Sequence, residues 1–214
     1  MRYAILSDIH GNQLALERVL ADARLQNTDT VLCLGDIGSD ACLDRLREIE
    51  ATLVFGNWEV SQWGYLRPDN QELVRNLPPM LSGDSFLAAH AAPWWPEGLA
   101  NVEDFMNYIL QRGVKWQALF PYLDKDENAF WQAVAELESA ERHLLFHGHT
   151  HVQMAHRVGP TGRIVRLRQP QFILDRRAHY IVSVGSVSRP EDGPGPKYAL
   201  YDDETATVQL ESPS

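Results

Sequence analysis

The chain has 214 residues, a formal net charge of -10 and a pI near 5.2, with 44% hydrophobic and 22% charged residues. These values are typical of one globular domain and argue against a nucleic acid polymer as partner, because polymer binding depends on Lys and Arg side chains that neutralise phosphates. There is no signal-peptide core, no membrane-length apolar run and no disulfide pattern. We therefore predict one cytoplasmic domain over residues 1–214 with no membrane partner.

The first quarter of the chain predicts alternating strands and helices. An apolar strand from Tyr3 to Ser7 precedes a helix whose apolar residues recur at helical spacing. Strands are predicted at 30–34 and 52–55, with a helix over about 40–49 between them. The nearly continuous apolar character of the second strand is expected of a parallel strand that is covered on both faces. This part of the chain therefore predicts an α/β fold.

From Trp58 to Glu141 this alternation gives way to helical and irregular sequence. Helices are predicted at 102–111 and 126–139, and the only strand expected there is the apolar run that leads to His90. We predict that a small helical cap lies within about 93–141. After His151 the sequence is rich in strands and begins with a hairpin that turns near Gly159.

Five apolar runs end in side chains that commonly bind metal ions. Because sites in open α/β sheets lie at the carboxyl ends of the strands, we expect these side chains to converge. Carboxylate, amide and imidazole donors without thiolates suit manganese, iron, cobalt, nickel or zinc. Taken singly, each residue has a structural alternative as a core histidine, a turn residue or a helix cap, but their joint occurrence favours a metal centre. The candidate metal ligands are Asp8, His10, Asp36, Asn57, His90, His149 and His151.

These ligands lie in five short motifs, which in chain order are Asp8-x-His10, Gly35-Asp36, Gly56-Asn57, His90 and Gly148-His149-Thr150-His151. Together they resemble the motifs of the calcineurin-like metallophosphoesterase family. The resemblance implies a four-layer α/β/β/α sandwich with the helical cap as an insertion, and two divalent metal ions. Manganese is the first choice for these ions, with iron, nickel, cobalt, zinc and magnesium as alternatives. The resemblance assigns one ion to Asp8, His10, Asp36 and His151. It assigns the second ion to Asp36, Asn57, His90 and His149, so that Asp36 bridges.

The implied reaction is in-line attack of a metal-bridging hydroxide on a phosphoester, with Asp36, Asn57, His90, His149 and His151 as the catalytic set. Many relatives carry a histidine after the Gly-Asn pair that assists the leaving group, whereas this chain has Trp58 there. General-acid help is worth about two to four orders of magnitude, so its absence favours phosphodiesters or nucleotide polyphosphates with good leaving groups. Another group, such as His147 or Arg189, is an alternative source of the proton or positive charge.

Two other functions stay open. The chain could be a phosphomonoesterase or phosphoprotein phosphatase, or it could be a non-catalytic metal-binding scaffold of the same fold. The expected partner of the enzyme is a small phosphate ester or nucleotide. The candidates for substrate contact are Asn12, Trp58, Trp94, Trp95 and Arg189. Asn12 could instead cap the first helix, and the tryptophans could simply pack the cap.

Overall fold

The computed structural model describes residues 1–213. Within this range the strands are β1 (Arg2–Leu6), β2 (Thr30–Cys33), β3 (Thr52–Leu53), β4 (Met80–Ser82), β5 (Phe86–Ala89), β6 (Leu144–His147), β7 (Gln153–Val158), β8 (Ile164–Leu167), β9 (Gln171–Ile173), β10 (His179–Val184), β11 (Tyr198–Asp202) and β12 (Thr207–Glu211). The helices are α1 (Gln13–Leu25), α2 (Asp40–Glu48), α3 (Asn57–Gln62), α4 (Pro68–Arg75), α5 (Val102–Arg112) and α6 (Glu127–Ser139). Single 3₁₀ turns lie at Trp63–Tyr65 and Trp116–Ala118.

The strands form two mixed sheets of six strands each. The first sheet has the order β3-β2-β1-β11-β12-β9, and β1, β2 and β3 are parallel. The second sheet has the order β4-β5-β6-β10-β7-β8, and β5, β6 and β10 are parallel. Helices cover the outer face of each sheet, so the predicted four-layer α/β/β/α sandwich is confirmed.

Three hydrophobic cores fill the spaces between these layers. The first core joins the first sheet to α1–α5 and includes Leu43 and Phe105. The second core lies between the two sheets and includes Phe146 and Tyr201, and the third lies beneath α6 and includes Leu137. Alternate residues of strand β1 point into the first and second cores, so both of its faces are buried. This explains why the sequence of a central strand is a continuous apolar run.

The segment 93–141, predicted to be a helical cap, contributes to both helical layers. Helix α5 packs against the first core, and the side chain of Asn101 caps it by accepting the N–H of Asp104 at 3.0 Å. Helix α6 packs against the second sheet. The chain between the two helices lies beside the candidate site described below.

Several elements were not individually predicted from the sequence, namely α3, α4, β4 and β9. Strand β4 has only three residues, all of them partly or fully exposed, so it lacks a clear apolar alternation. Helix α4 does carry a start signal, because Pro68 occupies its first position. None of the helices in residues 1–213 is long and apolar enough to cross a membrane.

Candidate metal centre

The predicted ligands lie at the carboxyl ends of strands from both sheets. Five of them, Asp8, His10, Asp36, His149 and His151, adopt left-handed backbone conformations with φ between 45° and 65°. Such conformations are costly for residues other than glycine, and they cluster at functional sites where the surrounding structure holds them in place. The loops after β1, β2 and β6 are therefore shaped around these side chains.

One group of side chains gathers around Asp8. The Nε2 atoms of His10 and His151 lie 3.1 Å apart, and they lie 3.8 Å and 3.2 Å from Asp8 Oδ1. Asp8 is fully buried, whereas the two histidine rings are partly exposed. One ligand atom from each of these three residues falls within 4.8 Å of the other two, a spacing that suits a single metal ion.

A second group gathers around Asp36 and His90. His90 Nε2 lies 3.5 Å from Asp36 Oδ1 and 3.1 Å from Asn57 Oδ1, and the ring of His149 lies 5.1 Å from that of His90 between centroids. Asp36 Oδ2 also lies 3.9 Å from His10 Nε2, which links the two groups. The structure thus brings all seven predicted ligands to one site, with Asp36 between the two groups.

Two buried atoms of this site have no hydrogen-bond partner among the described residues, Asp8 Oδ1 and His149 Nε2. The other carboxylate oxygen of Asp8 accepts the backbone N–H of His149 at 2.9 Å, which fixes the orientation of the carboxylate. A buried polar atom without a partner costs about 1–3 kcal/mol. Both orphaned atoms are metal-ligand types, so this donor set fits divalent cations.

The electrostatics of the site also suit cations. Burial lowers the pKa of His10 to about 4 and that of His149 to about 3, so both imidazoles are neutral and able to coordinate a metal at pH 7. Burial and the nearby Asp8 raise the pKa of Asp36 to about 8. Burial also acts to raise the pKa of Asp8, but its neighbouring imidazoles, led by His151, outweigh burial and keep it below its usual range. A cation between the carboxylates would relieve their mutual repulsion.

Glu59 is a buried site residue that the sequence reasoning missed. Its carboxylate accepts the backbone N–H groups of Asp36, Ile37 and Gly56, each at 2.8 Å. It therefore ties the loop that carries Asp36 to the start of α3, which carries Asn57. The available signal was the glutamate at the third position of α3, which is typical of a capping box.

The segment after β10 supports the loop that follows β1. Ser186 Oγ donates to the backbone carbonyl of Asp8 at 2.9 Å, and the N–H of Val187 donates to Ser7 at 3.0 Å. Close backbone packing also explains Gly148, because a Cβ at that position would collide with the side chain of Ser7. These contacts hold Asp8 and His149 against each other across the two sheets.

The predicted substrate residues lie in different places. The side-chain oxygen of Asn12 accepts the N–H of Ala15 at 3.1 Å, so Asn12 caps α1. Trp58 reaches the site through its backbone, whose N–H donates to Asp36 Oδ1 at 2.7 Å, while its ring packs on the first core. Trp94 packs against the third core and Trp95 against the first. Arg189 is exposed, and its backbone N–H donates at 2.8 Å to Ser186 Oγ, the hydroxyl that donates to the Asp8 carbonyl.

Aromatic side chains that were not among the predicted substrate residues lie beside His149. The ring of Tyr122 lies 4.2 Å from the His149 ring between centroids, and the ring of Trp116 lies 6.3 Å from it. Phe120 packs near both His90 and His149, at 6.0 Å and 6.4 Å. These three residues come from the chain between α5 and α6, so that segment forms an aromatic wall at the site.

This combination of a four-layer sandwich and an Asp/His/Asn cluster across its two sheets defines a metallophosphoesterase-type site. A model of the calcineurin-like phosphoesterase superfamily domain matches residues 1–206. The chain belongs to this superfamily. Membership and the clustered ligands together support a metal-dependent phosphoesterase, a hydrolase that acts on phosphoric ester bonds.

Similar proteins span nearly the whole chain. An uncharacterized protein of Methanocaldococcus jannaschii is 24% identical over 238 residues, covering 97% of this chain and 85% of its own. The structure of a metallophosphoesterase from Sphaerobacter thermophilus has a TM-score of 0.70 and 23% identity, covering 99% of this chain and 88% of its own. The structure of an archaeal phosphodiesterase has a TM-score of 0.55 and 14% identity, covering 99% of both chains. At these identities the two structures support the fold.

Proposed function

We propose that the chain hydrolyses phosphodiester or nucleotide-polyphosphate bonds with the help of two divalent metal ions. The observation that carries this proposal is the convergence of the seven candidate ligand side chains, two of whose buried atoms have no hydrogen-bond partner within residues 1–213. One ion would be held by Asp8, His10, Asp36 and His151. The other would be held by Asp36, Asn57, His90 and His149.

When bound, divalent ions supply charge neutralisation for a phosphoryl group and make water a better nucleophile. The protein residues bind the ions and hold the loops of the site in place. Neutral His10 and His149 present ring nitrogens to the site, and Asp36 offers one oxygen toward each ligand group. Glu59 and the backbone N–H of Trp58 keep the Asp36 loop in place. Among the predicted substrate residues, the exposed Arg189 is the one whose charge suits the non-reacting phosphate oxygens.

The preference for diesters over monoesters rests on Trp58. Its indole ring is partly buried on the first core and cannot protonate a leaving group. Substrates whose leaving groups depart without a proton, such as activated aryl diesters and nucleotide polyphosphates, therefore fit this site better. The aromatic wall of Trp116, Phe120 and Tyr122 offers apolar contact for an aryl or nucleobase group.

Replacing this tryptophan by histidine tests that reasoning. Trp58→His keeps the backbone N–H that donates to Asp36 and introduces a titratable imidazole one residue after Asn57. We expect the turnover of an alkyl phosphoester to rise by about tenfold or more, toward the lower range of general-acid catalysis, while an activated aryl diester changes little. Paired kcat measurements on the two substrates provide the comparison. Equal effects on both substrates would contradict the assigned role, and Trp58→Phe is the matched control.

The function itself is tested by metal-supplemented hydrolysis of a bis-aryl phosphodiester beside the corresponding aryl monoester. Parallel reactions contain manganese, nickel, cobalt, magnesium or EDTA, and Asn57→Ala serves as the inactive control. We expect diester turnover that requires a metal, is greatest with manganese, and is lost with EDTA and in the control. Monoester turnover above diester turnover would favour the phosphomonoesterase alternative.

A scaffold with no turnover in any of these reactions is the second candidate. The intact ligand set argues against it, because a scaffold has no need for seven convergent ligands.

We further propose a reducing cytoplasmic setting, which the two free and buried cysteines, Cys33 and Cys42, support.

A further inference from the structure

The charge of this acidic chain is unevenly distributed. Residues 157–177 contain six arginines and a single acidic residue, giving this segment a formal charge of +5 in a chain of -10. Asp175 forms ion pairs with Arg157 at 3.2 Å and Arg177 at 3.1 Å. The remaining four arginines are exposed and form no ion pair within residues 1–213; they are Arg163, Arg166, Arg168 and Arg176. Arg163, Arg166 and Arg168 thus form a basic surface around β8, whereas Arg176 lines a separate cavity with Tyr3 and Glu141.

Strand β8 is also an open edge of the second sheet. It pairs only with β7, so the backbone groups along its other side have no strand partner among the described residues. Two of its three apolar residues are exposed as well, Ile164 at 39% and Val165 at 36% of their accessible area, whereas Leu167 packs on the second core. An unpaired edge with exposed apolar side chains is the template on which another strand can add.

Trp131 extends this edge into a wider surface. Ile164 and Arg166 pair with Val158 and His156 of β7, and Val158 belongs to the core beneath α6. Because side chains alternate along a strand, Ile164 and Arg166 point to the α6 side of the sheet. Trp131 of α6 is 37% exposed, and its ring lies 3.8 Å from a Cβ placed on Gly162, just before β8. Trp and Arg, two of the side chains on this surface, are enriched in binding hot spots.

Arginines on an edge strand have a simpler use, which is to prevent unwanted pairing between sheets. That use does not require an exposed tryptophan and two exposed β-branched residues beside them. Pairing of two copies through β8 would place the arginines of one copy opposite those of the other, which is unfavourable. The apolar side chains also favour a polypeptide over a nucleic acid backbone.

We propose that the β8 edge and its α6-side face bind an acidic, extended segment of a partner protein. The segment adds as a strand beside β8, with its backbone pairing to the open edge. On the α6 side, an apolar side chain of the segment contacts Ile164 and Trp131, and an acidic side chain two residues away pairs with Arg166. This surface is separate from the metal ligands, so the proposal does not depend on the phosphoesterase activity.

Fluorescence anisotropy with labelled eight-residue peptides tests this proposal on the full chain. The probe alternates glutamate and valine, and the comparison peptides alternate lysine and valine or carry two prolines at the centre of the probe. We expect saturable binding of the glutamate probe alone. Binding should weaken by about tenfold or more when Arg163→Glu and Arg166→Glu are combined, since like charges would then face each other. The matched control is Arg18→Glu, which changes an exposed arginine of α1 that forms no ion pair within residues 1–213, and it should bind like the wild type.

Phosphoesterase activity and the circular dichroism spectrum verify that each variant is folded. If the double variant is misfolded, Ile164→Thr provides the second test and should also weaken binding. The proposal is overturned if no probe binds at about 1 mM, which is the edge of measurable affinity, or if the variants bind as tightly as the wild type. The proposal is also overturned if analytical ultracentrifugation shows that the chain forms a dimer and that Arg166→Glu dissociates this dimer. Displacement of the peptide probe by oligouridylate, at a phosphate concentration equal to the concentration of peptide carboxylates, would overturn it as well.

Discussion

Asp36→Asn is expected to lower turnover by about 10²- to 10³-fold or more, the scale of removing one charge-stabilising group, while the fold survives. The reason lies in the position of this carboxylate between the two ligand groups, 3.5 Å from His90 and 3.9 Å from His10. The asparagine keeps an oxygen that can accept the N–H of Trp58, so the loop retains its hydrogen bond. What is lost is the negative charge that both metal ions would share.

The same substitution should have opposite effects on stability with and without metal. Without metal, burial and Asp8 already disfavour the Asp36 charge, so the variant should be at least as stable as the wild type in EDTA. With manganese, the wild type should gain about 2.7 kcal/mol at a metal concentration 100 times the dissociation constant, and the variant much less. Thermal unfolding measured in both buffers gives the comparison.

The matched control for Asp36→Asn is Asp84→Asn, an exposed aspartate with no hydrogen-bond partner in the described structure, which should change neither turnover nor metal stabilisation. Undiminished turnover in Asp36→Asn would exclude Asp36 from the site. An equal gain from manganese in the variant and the wild type would show that the cation binds elsewhere.

Glu59→Gln is expected to lower the free energy of unfolding by about 1–3 kcal/mol, the cost of a buried donor that loses its acceptor. Glu59 accepts three backbone N–H groups with its two oxygens, and the glutamine amide would turn a donor toward at least one of them. The variant should also bind manganese more weakly. Its substituted side chain would no longer hold the loops of Asp36 and Asn57 together.

Urea unfolding and manganese titration measure these two effects of Glu59→Gln. Glu138→Gln is the control, since Glu138 is exposed on α6 and its side chain makes no hydrogen bond in the described residues; its unfolding free energy should match that of the wild type. A Glu59→Gln variant that is as stable as the wild type would mean that the loops after β2 and β3 keep their shape without the carboxylate.

Much of the candidate metal site was predictable because its residues follow short apolar runs. A parallel strand that ends at a polar residue delivers this residue to a known edge of the sheet, so the positions of Asp8, Asp36 and His90 could be inferred without knowing the loops. The family motifs added the division into two ligand groups. The left-handed backbone of the ligands was not predictable, because only tertiary contacts such as that between Ser186 and Asp8 can hold it.

The aromatic residues beside the site were harder to predict. Sequence reasoning named Trp58, Trp94 and Trp95 as the aromatic candidates for substrate contact, with packing of the cap as the alternative. The structure places Trp116 and Tyr122 next to His149 instead. That arrangement depends on how the chain between α5 and α6 folds back over the sheets, and neither periodicity nor turn signals describe such a long-range path.

The division of the ligands between the two sheets links metal binding to the whole fold. Asp8, Asp36 and Asn57 follow strands of the first sheet, whereas His90 and His149 follow strands of the second. A cation held by both sets would act as a cross-link between two halves that are otherwise joined across the second core. The sheets could then not separate without releasing the ion, so unfolding with metal should be more cooperative than unfolding in EDTA.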